Sequence, residues 1–218
     1  MTTHISTISQ ETIHKLLDLG AATIYEAQGA FGALSSQLKP IDGTMKLAGP
    51  AFTVDMRPGD NLMIHYALLK AKPGDILVLD AKGFIEAGVW GDVLTEQAMK
   101  LGLGGLVVNG AVRDASAIIA HGFPVFCKGL SIKGTGKNQP GKINEPIIID
   151  DVVINAGDII VGDRDGLVVI PRANLNVAIT QSIAREQKEA MFKEKLREGG
   201  NTAELLNLTE TLTRLQLI

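Results

Sequence analysis

Residues 88–122 read GVWGDVLTEQAMKLGLGGLVVNGAVRDASAIIAHG. The apolar spacing changes twice along this stretch. Residues 91–101 have the three-to-four spacing of a helix, 105–108 form a short apolar run of strand length, and 115–121 return to helix spacing. Working outward, 61–70 is helical in pattern. Residues 76–79 form a short apolar strand after the turn Pro73-Gly74-Asp75. The segment LAGPAFTVDM is extended and opens at Gly49-Pro50. On the far side, 125–127, 147–149, 152–154, 159–161 and 167–170 are strand-like. Upstream, 9–19 is a helix with Ser9 as its N-cap and Ile13, Leu16 and Leu17 on one face, and 23–29 is a second short helix. Pro171 ends the strand-rich part. A long polar helix then runs over about 174–198, and a shorter one follows Asn201. The mixture indicates an α/β or α+β core, over about 10–171, with a helical extension over about 172–218.

PGDILVLDAKG (from Pro73) and AGDIIVGDRDG (from Ala156) share a Gly-Asp turn, a buried strand and a trailing Asp and Gly. The echo reads as one favourable turn–strand solution used twice.

The chain has 218 residues, 45% hydrophobic and 21% charged, with a formal net charge of −3. That is enough for one domain with a sizeable core. The charges are interspersed, so no basic stripe points to nucleic acid and no basic amphipathic helix to a membrane surface. The amino terminus, MTTHISTISQ, lacks the cationic and apolar regions of a signal peptide, and the expected location is the cytoplasm. The single cysteine, Cys127 in FPVFCKG, reads as a small core hydrophobe.

Chemistry concentrates at the two helix starts of the opening stretch. A helix start offers unpaired N–H groups and a positive dipole end, suited to a carboxylate. Gly91 would let a ligand approach the backbone. Asp114 is a hard oxygen ligand of the kind Mg²⁺ or Mn²⁺ takes, and Arg113 could hold a keto oxygen or carboxylate. The alternative is that Asp92 and Asp114 merely cap their helices. His65 and His121 lack a second histidine at ligand spacing and are not expected to bind metal. Trp90 reads as a pocket wall or as a core or interface aromatic. The glycines 102, 104 and 105 precede their strand, the wrong order for the nucleotide loop a methyltransferase would need.

Asp92, twenty residues, then Arg113-Asp114 resembles the D-x20-R-D signature of class II pyruvate aldolases, the family of 4-hydroxy-4-methyl-2-oxoglutarate and 4-carboxy-4-hydroxy-2-oxoadipate aldolases, related to the regulator of ribonuclease activity A. TIYEAQGAFGAL, RPGDNLMIHYAL, KPGDILVLD, FPVFCKG and GDIIVGDRDGLVVIP also fit, so the resemblance covers about residues 10–200. It implies a layered β/β/α sandwich like the phosphohistidine swivelling domain, assembled as a trimer or hexamer with active sites at subunit interfaces. It implies Asp114 as direct ligand of Mg²⁺ or Mn²⁺, with no organic cofactor. Asp92 would hold a metal-bound water, and Arg113 would stabilise the pyruvate enolate. The amides of Gly91, Asp92, Val93 and Leu94 would bind the pyruvyl carboxylate, while Asn61 and Lys137 would read groups farther along a small oxo-acid substrate. A glutamate from a neighbouring subunit, Glu189 with Glu186 as fallback, would approach the site; that long helix is polar enough to leave little apolar face for its own domain. Oxaloacetate decarboxylation is expected beside retro-aldol cleavage. The rival within the same fold is a ribonuclease-binding regulator with no catalysis. Each contact residue also has a plain alternative: Asn61 as a helix cap, Lys137 as a solvated loop lysine, Glu189 as part of a wet helix face.

Overall fold

The computed structural model describes residues 8–218; the first seven, on which the signal-peptide reading partly rests, lie outside the described residues. In chain order the elements are α1 (Gln10–Leu19), α2 (Ala21–Ala27), β1 (Lys39–Pro40), β2 (Leu47–Asp55), α3 (Leu62–Leu68), β3 (Ile76–Gly88) and α4 (Asp92–Lys100). Then come β4 (Gly105–Val112), α5 (Ala115–His121), β5 (Val125–Leu130), β6 (Lys142–Ile143), β7 (Ile147–Ile149), β8 (Val152–Ile154), β9 (Ile159–Gly162) and β10 (Leu167–Ile170). A 3-10 turn (Arg172–Asn174) leads into α6 (Leu175–Arg197), α7 (Thr202–Leu205) and α8 (Thr209–Arg214).

Strands β2 to β5 are parallel neighbours in sequence order, linked by α3, α4 and α5. Alternation along each strand sorts their side chains onto two faces. Leu77, Leu79, Leu106 and Val108 meet Ile64, Leu68, Leu94 and Ile118 of the crossover helices. Ile76, Val78, Val107 and Phe126 meet Ile160, Leu167 and Val169 of β9–β10 and Ile147 and Ile154 of the hairpin β7–β8. The outer face of β9–β10, with Ile159, Val161, Val168 and Ile170, is covered by Leu16 and Ile24 of α1 and α2. The fold is therefore mixed α/β, with strand layers packed face to face between two layers of helix.

Four local expectations are corrected. β2 does not open at Gly49-Pro50 but runs through it: its first half pairs with β9 as far as Pro50↔Ile159, and its second half pairs with β3 from Ala51↔Ile76. Pro50, which has no N–H, sits where one ladder gives way to the other, so the proline marks a change of partner rather than a strand end. β3 extends to Gly88, well past Leu79. Its register with β4 shifts between Leu79 and Phe84 and again before Gly88, and the polar DAKG at the first shift had read as a strand end. The region after Asn201 holds two short helices. Finally, α6 does dock on its own domain. Leu175, Ile179 and Ile183 pack against the α1–α2 cluster, with Ala178 and Ser182 buried. Its later half is mostly exposed, Met191 and Leu196 included, so no single apolar stripe runs the length of the helix.

The repeated turn is a real structural repeat. Lys72 N–H donates to Asp75 Oδ2 and Asn155 N–H to Asp158 Oδ2, at 2.8 and 2.9 Å, and Gly74 and Gly157 both have φ of 86°. At the far ends, Lys82 N–H donates to Asp80 Oδ1 and Asp165 N–H to Asp163 Oδ1. The two strands so framed, β3 and β9, both pair with β2. Among the described residues no helix is long and apolar enough to cross a membrane.

Candidate active site

Parallel strands joined by helices leave a crevice beyond their carboxyl ends, where the helix starts converge. In this chain the carboxyl ends of β3 and β4 lie side by side. Val89 N–H donates to Ala111 O (3.0 Å) and Arg113 N–H to Trp90 O (2.8 Å). This brings Gly91-Asp92 opposite Arg113-Asp114. The turn into α4 is pinned from below: Trp90 Nε1–H donates to Thr95 Oγ1 (2.8 Å), and the Thr95 hydroxyl donates to Gly91 O (3.1 Å). Trp90 is fully buried and stacked on Phe123, so it is a core aromatic that holds the turn rather than a pocket wall.

Neither aspartate side chain caps its helix. Gly91 is the N-cap of α4 and Asp92 its first residue. Asp114 occupies the N-cap position of α5 in the left-handed region, φ 57°, and makes no side-chain cap bond. Its Oδ2 accepts instead from the backbone N–H of Asp92 (3.2 Å) and lies 3.6 Å from Arg113 Nε. An aspartate tolerates that backbone better than most residues, and such conformations persist mainly where surrounding structure enforces them. Gly91 is extended, φ −159°, so its lack of a side chain serves space rather than backbone freedom: a Cβ there would lie 2.5 Å from Asp114 Oδ2 and 3.2 Å from Arg113 Cγ. A cleft of about 370 Å³ opens beside these groups, lined by Arg113, Asp114, Ala115, Leu130, Ser131 and Ile132. A larger cavity of about 930 Å³ lies at the opposite, amino ends of β3 and β4, lined by Lys46, Lys70, Lys72 and Gly74 among others. It is lined by these lysines and Asp75 but by none of the residues at the converging helix starts, so the smaller cleft, which Arg113 and Asp114 line, is the candidate site.

Asn61 does not cap α3 either. Its Nδ2 donates to Val89 O (3.1 Å), two residues before Gly91, while its buried Oδ1 has no hydrogen-bond partner. Beside it, Asp60 is buried and accepts three backbone N–H groups, from Leu62 (2.9 Å), Asn138 (2.8 Å) and Gln139 (3.2 Å). Burial acts to raise its pKa, but the N–H bonds together with Lys137 outweigh that and hold the carboxyl below its ordinary 3.8. Asn61 N–H also donates to Gly136 O, and Gly136 N–H to Gly59 O. The loop carrying Lys137 is thus latched to the start of α3. Lys137 itself is exposed, and its charge helps burial lower the pKa of His65.

Glu189 is not brought to this cleft within its own chain. It pairs with Arg185 (3.0 Å) on the helix layer formed with α1 and α2, where Arg185 also approaches Glu26 (3.7 Å). Glu186 is exposed on the same helix. Cys127 is buried, and burial pushes its thiol pKa up, as befits a core residue.

His121 joins the site although its spacing argued against a role in metal binding. The last residue of α5 places Nε2 2.9 Å from Asp92 Oδ1 and 3.5 Å from Glu96 Oε1. Two sequence signals pointed that way: Asp92 and Glu96 stand one helical turn apart on one face, and His121 lies two turns beyond Asp114.

The family model described as RraA-like, aldolase/RraA, matches residues 21–169. The chain belongs to this RraA-like family. A protein of Halalkalibacterium halodurans, provisionally named a 4-hydroxy-4-methyl-2-oxoglutarate aldolase, is 38% identical over 175 residues, covering 80% of this chain and 81% of that one. Among solved structures, an uncharacterized protein of Pseudomonas syringae superposes with a TM-score of 0.83 at 26% identity, covering 94% of this chain and 97% of that one. Streptomyces coelicolor RraAS2, described as an unusual member of the RNase ES inhibitor RraA protein family, gives 0.75 at 26% identity, covering 86% of this chain and 98% of that one. An RraA-like fold therefore accompanies both an aldolase name and an inhibitor name, and the side chains in the cleft have to decide between them.

Proposed function

We propose that this RraA-like chain is a divalent-metal-dependent aldolase that cleaves a small 4-hydroxy-2-oxo di- or tricarboxylic acid and releases pyruvate. The observation that carries the reading is that the Asp114 carboxylate meets the Asp92 N–H and Arg113 beside Gly91, with neither aspartate side chain capping its own helix. A fold that only binds another protein has no need of that arrangement.

The donor set fits a cation held mostly by water. Among the described residues no group of three or more His, Cys, Asp or Glu side chains could hold a metal ion. Mg²⁺ commonly binds through one or two carboxylates, keeps several waters and takes substrate oxygens, and Mn²⁺ suits similar oxygen donors. Asp114 would be its protein ligand, and Asp92 would hold one of its waters. When bound, the ion would supply Lewis acidity at the 2-keto oxygen.

The protein's own groups do the rest. The first-turn amides of α4 at Val93 and Leu94 suit the pyruvyl carboxylate, joined by that of Asp92 where Asp114 yields it, and Gly91 leaves the space in which Asp114 and Arg113 lie against the turn. Asp92 takes up the C4 hydroxyl proton, directly or through a water. The C3–C4 bond breaks, its electron pair enters the pyruvate enolate, and Arg113 stabilises that charge as it develops. A proton returned to C3 completes pyruvate. Asn61 and Lys137 flank the distal end. Loss of carbon dioxide from oxaloacetate gives the same enolate, so decarboxylation accompanies cleavage. Glu189 of one subunit would complete the site of the next in a trimer or hexamer.

The test is a coupled pyruvate-release assay over a panel of 4-hydroxy-2-oxo diacids and triacids and oxaloacetate, with Mg²⁺ or Mn²⁺ and after exhaustive chelation. Metal-dependent release is expected. Release that survives chelation overturns the metal-dependent mechanism. No release from any substrate leaves the ribonuclease-binding reading, which the likeness to RraAS2 supports.

A further inference from the structure

His121 meets Asp92 across 29 residues of sequence, at the one carboxylate to which the proposed reaction gives a proton. A carboxylate can only accept, so the 2.9 Å contact requires His121 to carry its hydrogen on Nε2 and donate it. The side chains concerned are not deeply buried: 29% of His121, 42% of Asp92 and 67% of Glu96 is accessible. Ion pairs this exposed add little to stability. What the contact does is fix one oxygen of Asp92, a first-turn side chain with no cap bond to hold it.

We infer that His121 is a positioning residue that aims the Asp92 carboxylate at the substrate's C4 hydroxyl, and so serves bond cleavage by retro-aldol chemistry but not by decarboxylation. This rests on the proposed aldolase function. The two reactions differ in one proton. In cleavage the C4 O–H must lose its proton to Asp92 as the C3–C4 bond breaks and its electrons enter the enolate. In oxaloacetate decarboxylation a carboxylate leaves as carbon dioxide, and no hydroxyl proton has to be removed. Arg113 serves the enolate common to both, whereas Asp92 as held by His121 serves the step found in one.

The experiment measures kcat and KM of the wild type, His121→Ala and His121→Gln on a cleavable 4-hydroxy-2-oxo acid and on oxaloacetate, with thermal unfolding of each. Groups that orient the residues of a metal site typically matter by about 10- to 100-fold. His121→Ala should lower kcat for cleavage by that order, with KM within about twofold, and cleavage should fall at least about tenfold more than decarboxylation. Glutamine can still donate an N–H to Asp92 but cannot ionise, so His121→Gln should recover most of the loss. Parallel losses on both substrates, a loss confined to KM, or no recovery with glutamine would each overturn the inference while leaving the aldolase reading in place. A wild type that releases no pyruvate from either substrate overturns both.

Discussion

Replacing Gly91 by alanine separates the needs of the site from those of the fold. The extended backbone at Gly91 accepts any residue. The obstacle is the new methyl group, which would lie 2.5 Å from Asp114 Oδ2, about 0.9 Å inside the 3.4 Å at which ordinary contact begins. The clashing atom is the end of a side chain, so the cheapest relief is for the Asp114 carboxylate to swing away. That breaks its 3.2 Å bond from Asp92 N–H and parts it from Arg113. The fold loses about one hydrogen bond at a surface cleft, on the order of 1 kcal/mol, which for a chain of this size is a shift of roughly 2–4 °C in melting temperature. The site loses far more, because a displacement near 1 Å in a reacting group can cost about 10² in rate. Gly91→Ala should therefore melt within a few degrees of the wild type while kcat/KM for pyruvate release drops about a hundredfold. Activity within threefold of wild type would show that Asp114 need not hold its present place. A fall of many degrees would show that the glycine serves packing instead.

Arg113→Ala should depress cleavage and decarboxylation together, by about 10²–10³, and Arg113→Lys should also be poor because a point charge does not reproduce the planar fork; loss of one reaction alone, in steady-state assays, would move Arg113 to the distal end of the substrate. The depressed pKa of Asp60 means that the folded chain binds fewer protons there than the unfolded one. Its contribution to stability is therefore complete above the ordinary carboxylate pKa of 3.8 and drains away as pH falls through the lower folded value. Urea titrations across that window should show a low-pH loss of stability that Asp60→Asn reduces, and parallel curves for the two proteins would refute it. Lys137→Ala should weaken binding of long substrates more than of oxaloacetate, read as the ratio of the two KM changes; equal changes would place Lys137 at the pyruvyl end. Co-expressed Glu189→Ala and Asp114→Ala chains should regain turnover in mixed oligomers verified by mass spectrometry, and activity equal to the parental average would refute a shared site.

What was legible in the sequence was whatever has a local cause. Ser9 accepts from Thr12 N–H and starts α1 where the cap residue said it would, and α5 spans the residues its spacing specified. The 20-residue gap from Asp92 to Arg113 is the length of one helix and one strand, so a strand–helix–strand unit brings the two ends together by construction. What was not legible depends on partners distant in sequence. Nothing near Pro50 says that β2 leaves β9 for β3 at that residue. Nothing beside Asp92 or Asp114 shows that their carboxylates forgo capping their own helices, because an aspartate ahead of a helix looks the same in either role. His121 was passed over because it was weighed as a metal ligand, while its contact is with a carboxylate on another helix.

The two ends of the proposed site also rest on different support. The pyruvyl end is held by strand ends bonded to each other, Val89 to Ala111 and Arg113 to Trp90, above a buried tryptophan. The proposed distal end would be the loop around Lys137, hung on the start of α3 by the two N–H bonds from Asn138 and Gln139 to Asp60 and the exchange between residues 59, 61 and 136. Loops absorb substitution and insertion far more readily than strand ends in a packed sheet. Under the proposed function, the enolate chemistry sits on the half that resists change, and the choice of C4 substituent sits on the half that tolerates it. Exchanging residues 134–141 while keeping Asp60 and Asn61 should then shift the preferred substrate and leave oxaloacetate decarboxylation within a few-fold of its starting rate. A loop exchange that abolishes decarboxylation in a protein of unchanged melting temperature would show that the two halves are coupled and that this division of labour is wrong.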